Sequence, residues 1–366
     1  MILRDYHTHT NFCDGKNTPE EMVEAAVEKG LDTIGFSGHG YTRIDGSYCM
    51  SEEETREYIK EINRLKEKYR GKINIRLGIE RDYFSEEPAR GYDYIIGSVH
   101  YVRFGDEYVP VDSSADIIRC AADRYCGGDI MVFCEKYYEN VSHLCDDVVP
   151  DIIGHFDLVM KFNEKGELFD KNDPRYVAAW KKAADVLLKY DIPFEINTGA
   201  ISRGYRTEPY PDKDIYEYLK DRGAKLILTG DTHKKENLCF EFEKFAHLAN
   251  TFDIKRRICM IGHRGYSSAY PENTALAFVK AAENGSGGCE TDVRITSDGE
   301  YVCCHNEDAV FCDGTSLVIS ESTYEQLTAK PLKNSKTGDD VRLCSFREYL
   351  EIMKKYGMVC FVELKG

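Results

Sequence analysis

Short apolar runs alternate with amphipathic stretches along the first 248 residues of the chain. The runs are Ile2-Leu3, Thr33-Ile34-Gly35-Phe36, Ile73-Asn74-Ile75-Arg76-Leu77, Tyr94-Ile95-Ile96, Asp151-Ile152-Ile153, Pro193-Phe194-Glu195-Ile196 and Leu226-Ile227-Leu228. Runs of this length and β-branched content are typical of strands that are buried on both faces, as in a parallel barrel. The pattern therefore predicts seven parallel strands with helices between them.

Helix signals lie between the predicted strands. Thr18-Pro19-Glu20-Glu21 combines an N-cap residue, a proline in the first turn and two acids. Ser51 and Glu54 have the spacing of a capping box. Residues 174–190 and 212–222 show amphipathic helical periodicity. These elements complete the pattern of an α/β barrel.

Side chains that can bind metals follow every predicted strand. In a parallel α/β barrel the carboxyl ends of the strands meet at one rim, where active sites form. Six of the ten histidines fall at these strand ends, interspersed with carboxylates. The set comprises Asp5, His7, His9, Asp14, His39, Glu80, Asp82, His100, His155, Glu195, Asn197, Asp231 and His233. The sequence therefore predicts a cluster of metal ligands at the rim.

The types of ligand indicate a multinuclear site. Neutral imidazoles suit zinc, iron and manganese, and carboxylates can bridge two cations. His7 and His9 are two residues apart on a strand end, so they face the same side and can share an ion. Two ions roughly 3.5–4 Å apart can activate a bridging water for in-line phosphoryl transfer. We expect two or three divalent ions, which would be Zn, Mn or Fe.

The ordered motifs resemble the PHP (polymerase and histidinol phosphatase) family over residues 1–248. They are Asp5-Tyr6-His7-Thr8-His9, His39, Gly78-Ile79-Glu80-Arg81-Asp82, Ser98-Val99-His100, Gly154-His155-Phe156-Asp157, Glu195-Ile196-Asn197 and Gly230-Asp231-Thr232-His233. The resemblance implies a distorted seven-stranded barrel with a trinuclear centre in which Glu80 bridges two ions. It implies a first ion held by His7, His9, Glu80 and Asp231, a second held by Glu80, His100 and His155, and a third held by Asp14, His39 and His233.

Two arginines follow the sixth predicted strand, in the loop of residues 202–211. Arg203 and Arg206 could make forked contacts with a phosphate, and histidinol phosphatases carry a similar arginine-bearing loop. Lys161 is the next candidate for this contact. Asp231 or His233 would protonate the leaving alkoxide, and the sequence does not choose between them.

These residues predict hydrolysis of a small phosphate monoester, with L-histidinol phosphate, an intermediate of histidine biosynthesis, as the first choice. One alternative is a PHP phosphatase or exonuclease that acts on nucleotides or oligonucleotide ends. Another is a non-enzymatic interaction module whose metals are structural.

A second set of motifs begins at residue 258, after a first domain of residues 1–250. His263-Arg264-Gly265, Pro271-Glu272-Asn273-Thr274 and Glu290-Thr291-Asp292-Val293 resemble the opening half of a glycerophosphodiester phosphodiesterase. The resemblance implies His263 and His305 as general acid and base and Arg264 as a phosphate contact. It implies one cation, Mg or Ca, bound by Glu290, Asp292 and Glu363.

Residues 258–366 are too short for a complete eight-stranded barrel, so we expect a partial (β/α) half-barrel of four strands with exposed sheet edges. We expect it to be a remnant without hydrolytic activity, whose exposed surface would allow self-association. The first domain alone, ending near residue 250, should then retain full phosphatase activity.

Composition narrows the classes of partner and location. A formal net charge of −16 disfavours nucleic acid, but it allows a small phosphorylated metabolite in a local cationic pocket. No apolar run approaches the roughly 18–20 residues of a membrane span, and the N-terminus lacks the pattern of a signal peptide. The 14 cysteines are scattered without zinc spacing, which indicates reduced thiols and a cytoplasmic protein.

Overall fold

The computed structural model describes residues 3–250, 252–255, 257, 260–334, 336–338 and 340–365. The chain forms two compact units, Met1–Arg257 and Ile258–Gly366, and each is described by itself. Within the described residues, no helix has the length and apolar character that crossing a membrane requires.

The first unit is built on parallel strands. In chain order its strands are β1 (Arg4–Asp5), β2 (Thr33–Phe36), β3 (Asn74–Asp82), β4 (Tyr94–Ser98), β5 (Tyr101–Phe104), β6 (Glu107–Pro110), β7 (Ile152–Ile153), β8 (Phe194–Asn197) and β9 (Leu226–Thr229). Seven of them form one sheet in the order β1-β2-β3-β4-β7-β8-β9, with every pair parallel. A bridge from Thr8 to Thr232 joins the segments that follow β1 and β9. The predicted seven-stranded barrel is therefore confirmed and is nearly closed.

Helices cover the outside of this sheet. They are α1 (Pro19–Glu28), α2 (Glu52–Lys68), α3 (Ala115–Tyr125), α4 (Ile130–Ser142), α5 (Pro174–Leu187), α6 (Gly199–Ser202), α7 (Lys213–Asp221) and α8 (Phe242–Phe245). Both predicted helix starts are present as capping boxes, one made by Thr18 with Glu21 and the other by Ser51 with Glu54. The β5–β6 hairpin, α3 and α4 lie between β4 and β7, where the sequence analysis placed no elements.

The boundaries of two strands of the first unit, β1 and β3, differ from the apolar runs. The predicted first strand began at Ile2, which lies outside the described residues, and β1 comprises Arg4–Asp5. β3 continues from the apolar run to Asp82 because its last five residues pair with β4. This pairing carries Glu80 and Asp82 into the barrel wall, where both side chains are buried.

The segment after α8 belongs to the first unit. The Ile254 side chain packs with residues inside the barrel, namely Tyr6, Tyr94, Ile96, Ile152 and Ile227. Arg76 Nη2 donates to the Ile254 carbonyl at 3.2 Å, and Arg257 Nε donates to Asp151 at 2.5 Å. These contacts tie Ile254 and Arg257 to the barrel.

The second unit contains three parallel strands. Its elements are β10 (Ile261–Gly262), α9 (Ala275–Glu283), β11 (Gly288–Ile295), β12 (Tyr301–Cys303), β13 (Asp308–Val310), β14 (Ser316–Val318), α10 (Tyr324–Thr328), α11 (Phe346–Lys355) and β15 (Val359–Leu364). β11 pairs in parallel with β10 and β15 and antiparallel with β12, while β13 and β14 form a separate hairpin. The half-barrel is confirmed, but its fourth strand is antiparallel, which the sequence analysis did not predict.

Candidate metal centre

Glu80 lies at the middle of a group of five imidazoles at the carboxyl ends of the strands. Its Oε2 atom lies near His7 Nε2 (3.0 Å), His39 Nδ1 (3.2 Å) and His9 Nε2 (3.4 Å). Its Oε1 atom lies near His155 Nε2 (2.9 Å) and His100 Nε2 (3.5 Å). The two carboxylate oxygens therefore face different sets of histidines, which is the arrangement a bridging ligand requires.

Asp14 and Asp231 extend this cluster toward the loop after β9. Asp14 Oδ2 lies 2.9 Å from His233 Nε2, and Asp14 Oδ1 lies 3.5 Å from His9 Nδ1. Asp231 Oδ1 lies 3.3 Å from His9 Nε2. All nine predicted metal ligands are thus brought together in one continuous cluster.

The donor atoms fit divalent cations of the transition series. Three overlapping groups each have their ligand atoms within 4.8 Å of one another: His9, Asp14, His39 and His233; His7, His9 and Glu80; and His39, Glu80 and His100. Within the described part of the chain, His9 Nε2, Asp14 Oδ1 and His155 Nδ1 are buried without hydrogen-bond partners. Buried nitrogen and oxygen donors of this kind suit Zn, Mn or Fe.

The groups overlap with the ligand sets that the resemblance implies, since Asp14, His39 and His233 lie in one group and His7, His9 and Glu80 lie in another. His9 lies with Asp14, His39 and His233, and not only with the ligands implied for the first ion. His39 also lies with Glu80 and His100. His9, His39 and Glu80 each belong to two groups, so donors are shared across the cluster, and the division of the ligands among ions stays a prediction.

Two carboxylates, Glu195 and Asp82, contact the second ring nitrogen of His7 and of His100 and so fix the orientation of these imidazoles. Glu195 Oε1 lies 2.7 Å from His7 Nδ1, and its Oε2 accepts a hydrogen bond from the His155 backbone N–H at 2.9 Å. Asp82 Oδ2 lies 3.2 Å from His100 Nδ1. Both acids were expected among the candidate metal ligands at the strand ends, and their role as supports of the imidazoles was missed. This role could have been predicted, because a metal-ligating imidazole usually has a hydrogen-bond partner on its second nitrogen.

The second unit brings its three predicted carboxylates together. Glu290, Asp292 and Glu363 have ligand atoms within 4.8 Å of one another. The Lys365 ammonium lies among them, 3.1 Å from Asp292 Oδ1 and hydrogen-bonded to Glu363. Arg264 Nε lies 3.2 Å from Asp292 Oδ2. Two cationic side chains of the protein thus contact the predicted cation ligands.

The two predicted acid–base histidines of this unit have different neighbours. The His263 side chain is 71% exposed, and its Nε2 lies 3.9 Å from Glu290. His305 Nδ1 lies 3.0 Å from the neighbouring Asn306 side chain. Considering only the residues that the structure describes, no hydrogen bond or ring contact joins His263 to His305.

Each unit matches a family model of known proteins. A PHP domain family model matches residues 5–199, which is more than half of the chain. The chain belongs to the PHP domain family. A model of the glycerophosphoryl diester phosphodiesterase family matches residues 263–365.

The matches to relatives of the PHP unit span most of each relative's length. A relative from Schizosaccharomyces pombe is 28% identical over 282 residues, covering 70% of this chain and 88% of the relative. The histidinol-phosphatase of Bacillus subtilis is 27% identical over 270 residues, covering 67% of this chain and 98% of the relative. The solved structure of a hisK protein from Listeria monocytogenes has a TM-score of 0.56 at 21% identity and covers 66% of this chain and 99% of that chain. This structural likeness supports the PHP fold.

The relatives of the second unit are longer than the part they match. The glycerophosphodiester phosphodiesterase of Bacillus altitudinis is 32% identical over 111 residues, covering 29% of this chain and 45% of the relative. The chain therefore spans less than half the length of this relative.

Neighbouring charges lower the pKa values of two carboxylates in the PHP site, Glu80 and Asp231. Burial alone would raise the pKa of Glu80, but the imidazoles of His7, His39 and His100 hold it well below its usual range. Burial also opposes ionisation of Asp231, yet Arg203 and His7 hold its pKa well below the usual range. Both carboxylates are therefore ionised and available as ligands.

The two predicted phosphate-binding arginines of the PHP unit differ in position. Arg203 Nη2 donates to Asp231 Oδ2 at 2.9 Å, and its side chain is 25% exposed at the cluster. Arg206 is buried, and its Nη1 donates to the Met160 carbonyl at 3.1 Å. The Arg206 guanidinium also lies over the Tyr210 ring. The structure thus places Arg203 at the site, while the contacts of Arg206 brace the loop.

Proposed function

We propose that the PHP unit hydrolyses L-histidinol phosphate to L-histidinol and phosphate as a step of histidine biosynthesis. The observation that carries the proposal is the Glu80 carboxylate, whose two oxygens face separate sets of imidazoles. Related histidinol-phosphatases that match most of their length to this chain support the choice of substrate.

Two or three divalent ions, Zn, Mn or Fe, would supply water activation and neutralise the phosphoryl oxygens when bound. The residues proposed to hold them are His7, His9, Asp14, His39, Glu80, His100, His155, Asp231 and His233. Glu195 and Asp82 would keep His7 and His100 in their ligating orientation.

Asp231 and His233 are the two residues proposed for moving the proton. Both are engaged at the cluster: His233 Nε2 lies 2.9 Å from Asp14 and Nδ1 lies 2.7 Å from Arg203 Nη1, while Asp231 Oδ2 accepts from Arg203 Nη2 at 2.9 Å. Arg203 and His7 hold the pKa of Asp231 well below its usual range, which makes this carboxylate a weak base. One of the two residues would take the proton of the attacking water and return it to the leaving alkoxide as the bond from phosphorus to the ester oxygen breaks.

Arg203 is proposed to bind the phosphoryl oxygens. Its guanidinium is partly exposed and adjoins Asp231 and His233, so a phosphate at the cluster would lie within its reach. Arg206 is assigned to holding the loop in place, because its donors are engaged by backbone carbonyls.

A panel of phosphate esters, assayed with added manganese or zinc, tests the function. We expect L-histidinol phosphate to have the highest kcat/KM among small monoesters, nucleotides and single-stranded DNA. A preference for nucleotides or DNA would support the alternative PHP phosphatase or exonuclease. If no ester is hydrolysed by metal-loaded protein, the non-enzymatic interaction module becomes the better hypothesis.

We extend the proposal to the rest of the chain. Residues 1–250 would supply the phosphatase core, and residues 258–366 would form a glycerophosphodiester phosphodiesterase-like unit that allows self-association. A cytoplasmic location agrees with the unpaired thiols of the described cysteines.

A further inference from the structure

Asp112 lies beside the metal cluster, although it is not one of the predicted ligands. The β5–β6 hairpin pairs Tyr101 with Pro110, and the Val111 backbone N–H then bonds the His100 carbonyl at 2.9 Å. This register carries Asp112 next to the strand end that bears His100. The Asp112 side chain is 35% exposed, so its carboxylate is open to a ligand.

The carboxylate of Asp112 is ionised. Burial would raise its pKa, but the charges of Lys161 and of His100 hold the pKa below its usual value. Lys161 makes its shorter hydrogen bond to the backbone carbonyl of Asp112, at 2.7 Å, and lies 3.4 Å from carboxylate Oδ2. The negative charge of Asp112 is therefore only partly compensated by this lysine.

An aromatic ring completes the group. Tyr205 lies in the same loop as Arg203, is 49% exposed, and has its ring centroid 4.7 Å from Lys161 Nζ. Asp112, Lys161 and Tyr205 thus come from three different segments: the hairpin, the turn after β7 and the arginine loop. Together they place an anion, a cation and an exposed ring next to the segments that bear His100 and Arg203.

We propose that Asp112 and Tyr205 form a subsite for the organic part of an amino-alcohol phosphate. The Asp112 carboxylate would pair with the substrate ammonium, and the Tyr205 ring would lie against the substrate side chain. Lys161 would hold the Asp112 backbone in place. This inference rests on the proposed phosphatase function and adds a reason why the site selects an ester that carries a cation close to its phosphate.

The test compares two esters that differ in one group. Metal-loaded full-length protein is assayed with L-histidinol phosphate and with the deaminated ester, imidazolylpropyl phosphate. Asp112→Asn should raise KM for L-histidinol phosphate by about 10- to 100-fold, the effect expected for one charge-assisted hydrogen bond. Its kinetics with the deaminated ester should stay close to wild type, and so should the content of bound metal.

Two further variants serve as controls. Asp116→Asn makes the same chemical change at an exposed position in the first turn of α3 and should leave both substrates unaffected. Asp112→Glu restores the charge and should recover part of the lost affinity. Recovery by glutamate distinguishes a charge contact from a purely structural role.

The possible outcomes separate the two proposals. If wild-type protein hydrolyses L-histidinol phosphate but Asp112→Asn changes both esters equally, or neither, the subsite is refuted while the phosphatase function stands. A wild-type enzyme that accepts the deaminated ester equally well refutes it too. If wild-type protein hydrolyses other monoesters but not L-histidinol phosphate, the function itself is wrong and the subsite fails with it.

Discussion

Glu80 contacts five imidazoles through two oxygens, so its loss should disturb more than one ion. We expect Glu80→Gln, which keeps the side-chain volume, to abolish turnover and to lower the number of ions bound per chain. The barrel should remain folded, because Glu80 lies at the rim and outside the apolar core. Elemental analysis of protein purified without chelator, together with circular dichroism, checks both expectations.

Glu57→Gln, at an exposed site on α2, is the matched control and should bind metal as the wild type does. Fully active wild-type enzyme with one ion or none per chain would contradict a multinuclear mechanism.

Substitution of Glu195 should lower metal affinity without a direct effect on substrate binding. Its 2.7 Å contact with His7 Nδ1 fixes the orientation of that ring, and losing such a partner typically lowers metal affinity 10- to 100-fold. Glu195→Gln should therefore release metal to a competing chelator at lower chelator concentration. At saturating metal its KM should match wild type, and a large change in KM alone would argue against this role.

Substitutions of Arg203 and Arg206 should have different effects, the first on substrate binding and the second on stability. Arg203→Ala should raise KM by about one to two decades, because a charge-assisted contact with phosphate is worth about 1.5–3 kcal/mol. Arg206→Ala removes the hydrogen bonds from Arg206 to the Met160 and Glu208 carbonyls and the stacking on Tyr210, which should cost about 1–3 kcal/mol of the free energy of unfolding. Thermal melts and steady-state kinetics separate the effects.

Unchanged kinetics in Arg203→Ala would move the phosphate contact to another cation, with Lys161 the next candidate. A large rise in KM in an Arg206→Ala protein of wild-type stability would show that Arg206 binds substrate, as the sequence predicts.

The elements of the PHP unit show why local and long-range signals differ in value. Both capping boxes could be read from the sequence, because the cap and its partner lie three residues apart. The length of β3 could not, because residues 78–82 are held as strand by pairing with β4. That pairing overrides the polarity of Glu80 and Asp82, which had suggested that the strand ends earlier.

The β5–β6 hairpin was missed although a signal existed. Gly105 and Asp106 form a two-residue connection between strands that pair Phe104 with Glu107. Such a glycine-containing pair is a recognised hairpin signal. The hairpin matters because it brings Asp112 to the site.

The predicted site of the second unit holds protein cations where a metal ion was expected. We expect no hydrolysis of glycerophosphocholine that depends on His263, because this side chain is largely exposed and Lys365 lies among the carboxylates. Wild type and His263→Ala should behave alike when assayed with magnesium or calcium. Turnover that disappears in the variant would show that the second unit is a working active site.

At the scale of the whole molecule, the first compact unit extends to Arg257, beyond the domain end near residue 250 that was expected from the sequence. A fragment of residues 1–257 should retain full phosphatase activity. A fragment of residues 1–250 should melt at lower temperature, because it loses Ile254 from the barrel interior, a burial worth about 1.5–3 kcal/mol. It also loses the bond from Arg76 to the Ile254 carbonyl.

Thermal melting and phosphatase assays of the two fragments check this expectation. Equal stability of both fragments would show that the segment after residue 250 contributes little to stability. That result would agree with the domain end near residue 250 that the sequence predicts.

The sequence by itself determined the barrel, the family and the set of side chains at the rim. This was possible because parallel strands place their carboxyl ends together, so the order of motifs along the chain is enough to predict a common site. Tertiary structure decided which atoms meet: the oxygens of Glu80, the support of His7 by Glu195, and the burial of Arg206. Those contacts join residues far apart in the chain, and their distances depend on the twist and register of the whole sheet, which no local pattern encodes.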